Sequence, residues 1–153
     1  MNRMLRVSDK IDRAFLVDMP LILVPLSPDA HALQWRMLVL GEVMYQERWD
    51  LNLPFIERRL AESEDGVELS FSELEEFAGR VRQVIDGLFV GAQINPPRVT
   101  DTDDAILSRA DMIVAAVDSW YWLVGAPEDV LVRVEQSFSS VTEEDPPFVW
   151  RGD

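Results

Sequence analysis

The chain has 153 residues and is 48% apolar, enough to build the core of one domain. It has no cysteine, which excludes a disulfide framework, a thiolate metal site and a cysteine nucleophile, and its one histidine, His31, excludes multi-histidine metal centres. Fourteen basic residues face 28 acidic ones, and this net charge of −14 disfavours nucleic-acid backbones and acidic membranes while favouring basic partners or cations.

The first 16 residues place Arg3, Arg6, Lys10 and Arg13 among Met4, Leu5, Val7, Ile11 and Phe15, which predicts a short amphipathic helix from Ser8 onward. Pro20, Pro25 and Pro28 punctuate the apolar run Met19–Pro28. Proline is excluded from helix interiors, so an extended arm over other helices is expected, too short and broken for a membrane span or signal peptide. A cytoplasmic protein follows from that reading. Ser27-Pro28-Asp29 then supplies a cap, a first-position proline and an acidic first turn for a helix whose buried face is Ala30, Leu33, Met37, Leu40 and Met44. Glu42 sits on that helix among apolar neighbours. A second short helix is expected over Leu53–Ser63.

Phe71–Gly91 is the strongest amphipathic pattern, with Leu74, Phe77, Val81, Ile85 and Leu88 on one stripe. Ser72 and Glu75 have the spacing of a capping box, and Glu76 and Arg80 stand in the favourable order for a helical ion pair. Gly79 suggests close approach of a neighbour. Asn95-Pro96-Pro97 marks a rigid connector. A long central helix is expected over Asp103–Val124, capped by Thr102 or Asp101. Its carboxylates Asp104, Asp111 and Asp118 recur every seven residues and so share one helical stripe. Gly125-Ala126-Pro127-Glu128-Asp129 breaks and restarts the chain, and a last helix follows over Val130–Ser140. The expected fold is all-α: one bundle of five or six helices. Residues 1–26 form its N-terminal helix and arm, 27–141 its core, and 142–153 an acidic, proline-containing tail with Phe148 and Trp150.

Ala110-Asp111-Met112-Ile113, the aromatic-rich stretch after it, the Gly125–Val130 break and the last helix together resemble the all-α nucleoside-triphosphate pyrophosphohydrolases, the MazG-like group. The proline-rich arm leading to Ser27–Glu47 resembles the opening of the same family. The resemblance implies magnesium held by carboxylates on two facing helices, activating water against a nucleotide. Of the family's five carboxylates only Glu42 and Asp111 fall on matching positions, with Asp104 and Asp118 as substitutes. A degenerate member is therefore implied, with weak or no magnesium-dependent pyrophosphohydrolase activity and no catalytic residue assigned. The family also implies a homodimer, for which the Trp120–Leu123 segment is a suitable interface.

Composition offers a reading from a different class. Residues 62–76 hold seven acidic side chains and no basic one. Glu62, Glu64, Asp65, Glu68, Glu73 and Glu76 would then form the surface of an acidic interaction protein, such as an immunity protein, an inhibitor or a secretion chaperone, that binds a basic partner.

Overall fold

The computed structural model describes residues 3–11, 16–41, 43–45, 59 and 62–145. The expected helix over Leu53–Ser63, Glu42 and the C-terminal Phe148 and Trp150 lie outside the described residues, apart from positions 59, 62 and 63 of that helix.

The strands are β1 (Met4–Val7), β2 (Gln34–Leu40), β3 (Val43–Tyr45), β4 (Val67–Leu69), β5 (Val81–Val84), β6 (Gly87–Ala92), β7 (Met112–Val117), β8 (Tyr121–Gly125) and β9 (Val141–Glu144). The expectation of an all-α bundle is overturned: seven of these strands form one sheet in the order β4-β2-β6-β7-β8-β1-β9, with every neighbouring pair antiparallel. β3 and β5 pair separately. Helices α1 (Met19–Leu23), α2 (Ser27–Ala30), α3 (Phe71–Arg80) and α5 (Glu128–Ser137) contribute buried side chains to one face of the sheet, while Ile106 of α4 (Asp103–Arg109) joins the core of the other.

The expected central helix resolves into α4, β7 and β8. Thr102 caps α4 as expected, its Oγ1 accepting the Ala105 N–H at 3.2 Å. The helix then ends at Arg109, and Ala110 turns to extended geometry. Met112–Val117 is buried almost throughout because it is an inner strand packed on both faces: Met112, Val114 and Ala116 point to one core, Ile113 and Ala115 to the other. A strand covered on both sides reads as an unbroken apolar run, and periodicity alone does not separate it from a buried helix. The hairpin to β8 turns through Asp118 and Ser119, both at positive φ (51° and 58°), and the Trp120 N–H donates to the Val117 carbonyl at 2.9 Å. Two successive positive-φ residues belong to type I′ hairpin turns, which usually carry asparagine or glycine.

The strongest amphipathic pattern is also divided. α3 covers Phe71–Arg80, buries Phe71, Leu74, Phe77 and Ala78, and carries the expected Glu76–Arg80 ion pair. Its capping box is Ser70 with Glu73, two residues before the expected pair: Ser70 Oγ accepts the Glu73 N–H at 3.1 Å, and the Ser70 N–H donates to Glu73 Oε1 at 3.0 Å. Both pairs have the right spacing, and the burial of Phe71 against Trp35 selects the earlier one. Val81 is extended and begins β5. A Cβ added at Gly79 would meet nothing within 4 Å, so the close approach expected there is not found among the described residues.

The proline arm is helical rather than extended. Pro20, Pro25 and Pro28 each stand within the first two positions of α1, a 3-10 turn at Val24–Leu26, and α2 respectively. Proline is tolerated there because those N–H groups have no helical partner. Met19, Ile22, Leu23, Leu26 and Ala30 are buried in the first-face core. The helix expected from Ser27 stops after four residues, and β2 follows instead. β1, ahead of the helix expected from Ser8, lies between β8 and β9; residues 8–11 of that expected helix are not helical, and residues 12–15 lie outside the described residues. The last helix is present as α5, shifted to Glu128–Ser137.

Candidate functional site

The strand geometry separates the proposed metal ligands. Seven residues span about 10 Å along a helix but about 23 Å along a strand. Asp111 lies just before β7 and Asp118 just after it, so the two stand at opposite ends of a strand. Asp104 is exposed in the first turn of α4, at the end of that helix away from Asp111. Asp111 accepts the Gln93 N–H at 2.9 Å through Oδ2, a backbone-tying role. The Asp118 N–H donates to Asp86 Oδ1 at 3.0 Å. No group of three or more potential metal-ligating residues occurs among the described residues, and Glu42 lies outside them.

Arg109 and Arg36 are engaged with other groups. Arg109 bonds Asp101 Oδ2 at 3.0 Å and the Asn95 carbonyl at 2.9 Å. Arg36 is 5% exposed and reaches the Pro96 carbonyl and, at 2.8 Å, Glu68 Oε1, while its Nε has no hydrogen-bond partner among the described residues. Arg3 instead lines a cavity of about 220 Å³ with Asp111 and Glu128. Its guanidinium sits 2.9 Å from Glu135 and 2.7 Å from Glu128, and these hydrogen bonds raise its proton affinity above the ordinary arginine value.

The acidic stretch maps to the β4 edge of the sheet and the exposed side of α3. β4 is an edge strand; Val67 and Leu69 point inward, and Glu68 is 78% exposed on its side chain. Ser70 follows at once as the cap of α3, so the sequence passes directly from edge strand to helix. Glu73, Glu75 and Glu76 then occupy the solvent side of α3, because Leu74, Phe77 and Ala78 take its buried side. Glu68 and Glu73 converge on a cavity of about 410 Å³ with Leu33, Trp35, Leu69 and Pro96 in its walls. Asp65 lies 3.6 Å from Arg98, and Glu75 lies 3.4 Å from His31. Glu62 and Glu64 are exposed before β4. Seven carboxylates in this stretch thus meet the three arginines Arg36, Arg80 and Arg98, which leaves the edge negative.

A larger cavity, about 570 Å³, was not anticipated from the sequence. It lies at the β7–β8 turn between Arg6, Lys10, Asp118, Trp120 and Tyr121. The Arg6 guanidinium carbon sits 3.8 Å above the Tyr121 ring centre, and Glu144 holds it through contacts of 2.8 and 3.0 Å. Trp120 is 72% exposed. Trp122, within β8, is buried, and its Nε1–H donates to the Val17 carbonyl at 2.8 Å. Alternation along β8 therefore sends Tyr121 and Trp122 to opposite faces, while Trp120 stands in the turn before the strand.

No helix among the described residues is long and apolar enough to cross a membrane. No family model, curated protein or solved structure matches the chain.

Proposed function

We propose that this chain is an acidic interaction protein that binds a basic protein partner through the β4–α3 edge. The observation that supports the reading most directly is the cavity shared by Glu68 and Glu73, with its apolar walls Leu33, Leu69 and Pro96. A lysine or arginine side chain has this character in reverse: an aliphatic stem ending in a cation. The surrounding carboxylates of α3 would speed the encounter with a positively charged surface. A cytoplasmic setting belongs to the same reading. The pyrophosphohydrolase reading is not carried forward, because it rested on two facing helices, and Asp111 precedes a strand.

An oligolysine peptide is a direct probe. Binding should weaken steeply with salt, and Glu68→Gln with Glu73→Gln should weaken it about tenfold, the equivalent of roughly 1.4 kcal/mol. Glutamine preserves both the capping geometry and a hydrogen bond to Arg36, so the fold is kept while the charge is removed. Equal binding by the wild type and the doubly substituted protein would reject the proposal.

A further inference from the structure

We infer that the Trp120 cavity is the interface of a two-fold homodimer, in which each copy's indole enters the cavity of the other. Four observations converge on it. Trp120 is 72% exposed, and Ile11, next in the chain to the cavity residue Lys10, is 50% exposed. The indole is carried by a braced turn: the Asp118 N–H bonds Asp86 Oδ1, the Ser119 N–H bonds the Ile85 carbonyl, and the Trp120 N–H bonds the Val117 carbonyl, each within 3.0 Å. A braced turn spares the cost of ordering the backbone on docking. Tryptophan, tyrosine and arginine meet here, and Trp, Tyr and Arg are the residue types enriched at interface hot spots.

Charge then selects the occupant. A chain of net charge −14 repels its own copy over most of its surface. At physiological salt that repulsion is screened beyond about 8 Å, so the groups within the contact decide the outcome. This cavity contains both signs, Lys10 and Arg6 with Asp118. A patch of mixed sign is complementary to itself across a two-fold axis, with Lys10 of each copy facing Asp118 of the other. The site is independent of the proposed partner edge: β8 and β1 are four and five strands away from β4 in the sheet, about 19–24 Å at the usual strand spacing.

Sedimentation equilibrium of the full chain from 1 to 100 µM tests the inference. The wild type should dimerise in this range, Trp120→Ser should raise the dissociation constant at least tenfold, and Lys10→Glu should raise it as well. Adding Asp118→Lys to Lys10→Glu should restore dimerisation, since the pair is then exchanged across the axis. Circular dichroism checks that each variant keeps the wild-type fold. A wild type that stays monomeric to 100 µM overturns the inference, as does a dimer that Trp120→Ser leaves unchanged or a double substitution that fails to restore association. Oligolysine binding by a strictly monomeric protein would overturn the dimer alone and leave the β4–α3 reading standing.

Discussion

Gly91→Ala should destabilise the protein by about 2–4 kcal/mol, a figure that combines overpacking with a lost hydrogen bond. Gly91 lies opposite Trp35 in the β2–β6 register, and the two positions share the first face of the sheet. A methyl group on Gly91 would lie 2.8 Å from Trp35 Cε2 and 2.9 Å from Cζ2, closer than carbon atoms pack. The indole has no room to yield: it is buried, it packs 5.5 Å from the Phe71 ring centre, and its Nε1–H donates to the Ala30 carbonyl at 3.0 Å. Overpacking of this kind costs about 1–3 kcal/mol. If the indole shifts to relieve it, the hydrogen bond to Ala30 is lost at about another 1 kcal/mol. Urea unfolding at unchanged m-value is the suitable assay, and a fall in Tm of roughly 2–4 °C per kcal/mol should accompany it. Gly79→Ala is the control, because a methyl there meets nothing within 4 Å; it should stabilise α3 by about 0.5–1 kcal/mol. In a Trp35→Phe background the smaller ring should accommodate the added methyl, giving a coupling of at least about 1 kcal/mol between the two substitutions. A Gly91→Ala protein within about 0.5 kcal/mol of wild type, or the same penalty in both backgrounds, would refute the reasoning.

Gly66→Ala should cost more than about 2 kcal/mol in a thermal melt, since Gly66 has φ of 101° and the new methyl would lie 2.6 Å from the Met37 carbonyl oxygen. Ser70→Ala should remove about 1 kcal/mol and speed amide exchange in the first turn of α3, whereas Ser72→Ala should change little, because Ser70 holds the cap. Asp111→Ala should cost about 1 kcal/mol by releasing the Gln93 N–H, equally with and without millimolar magnesium. A magnesium-induced rise in Tm that this substitution abolishes would instead support the metal site. Ile113→Asp should abolish the folded circular dichroism spectrum, because it puts an unpaired charge at a fully buried position of an inner strand.

Some of this fold is local and can be read directly. The Pro127-Glu128-Asp129 start of α5, the Thr102 cap of α4 and the Glu76–Arg80 pair depend on residues within one helical turn, and each stands where short-range chemistry puts it. The acidic run from 62 to 76 is likewise a property of composition, although only the fold brings Glu68 and Glu73 to one cavity. A turn signal stands at Asp86-Gly87, where the chain passes from β5 to β6 in the middle of the apparent helix. The turn at Asp118-Ser119 has no glycine or asparagine to announce it.

The strands themselves were decided by tertiary structure. Met112–Val117 and Leu88–Val90 are buried on both faces, so their apolar residues neither alternate nor skip, and a helix of the same composition looks alike. What separates the alternatives is the partner for each backbone N–H and C=O. A helix finds that partner four residues away, whereas β7 finds it on β6 and β8, whose positions depend on distant segments of the chain. The same choice moved Asp111 and Asp118 from one helical stripe to opposite ends of a strand. It also put Tyr121 and Trp122 on opposite faces of β8 and left Trp120 exposed in the turn before it, because side chains alternate along a strand and only contact with the rest of the molecule establishes that a strand is there.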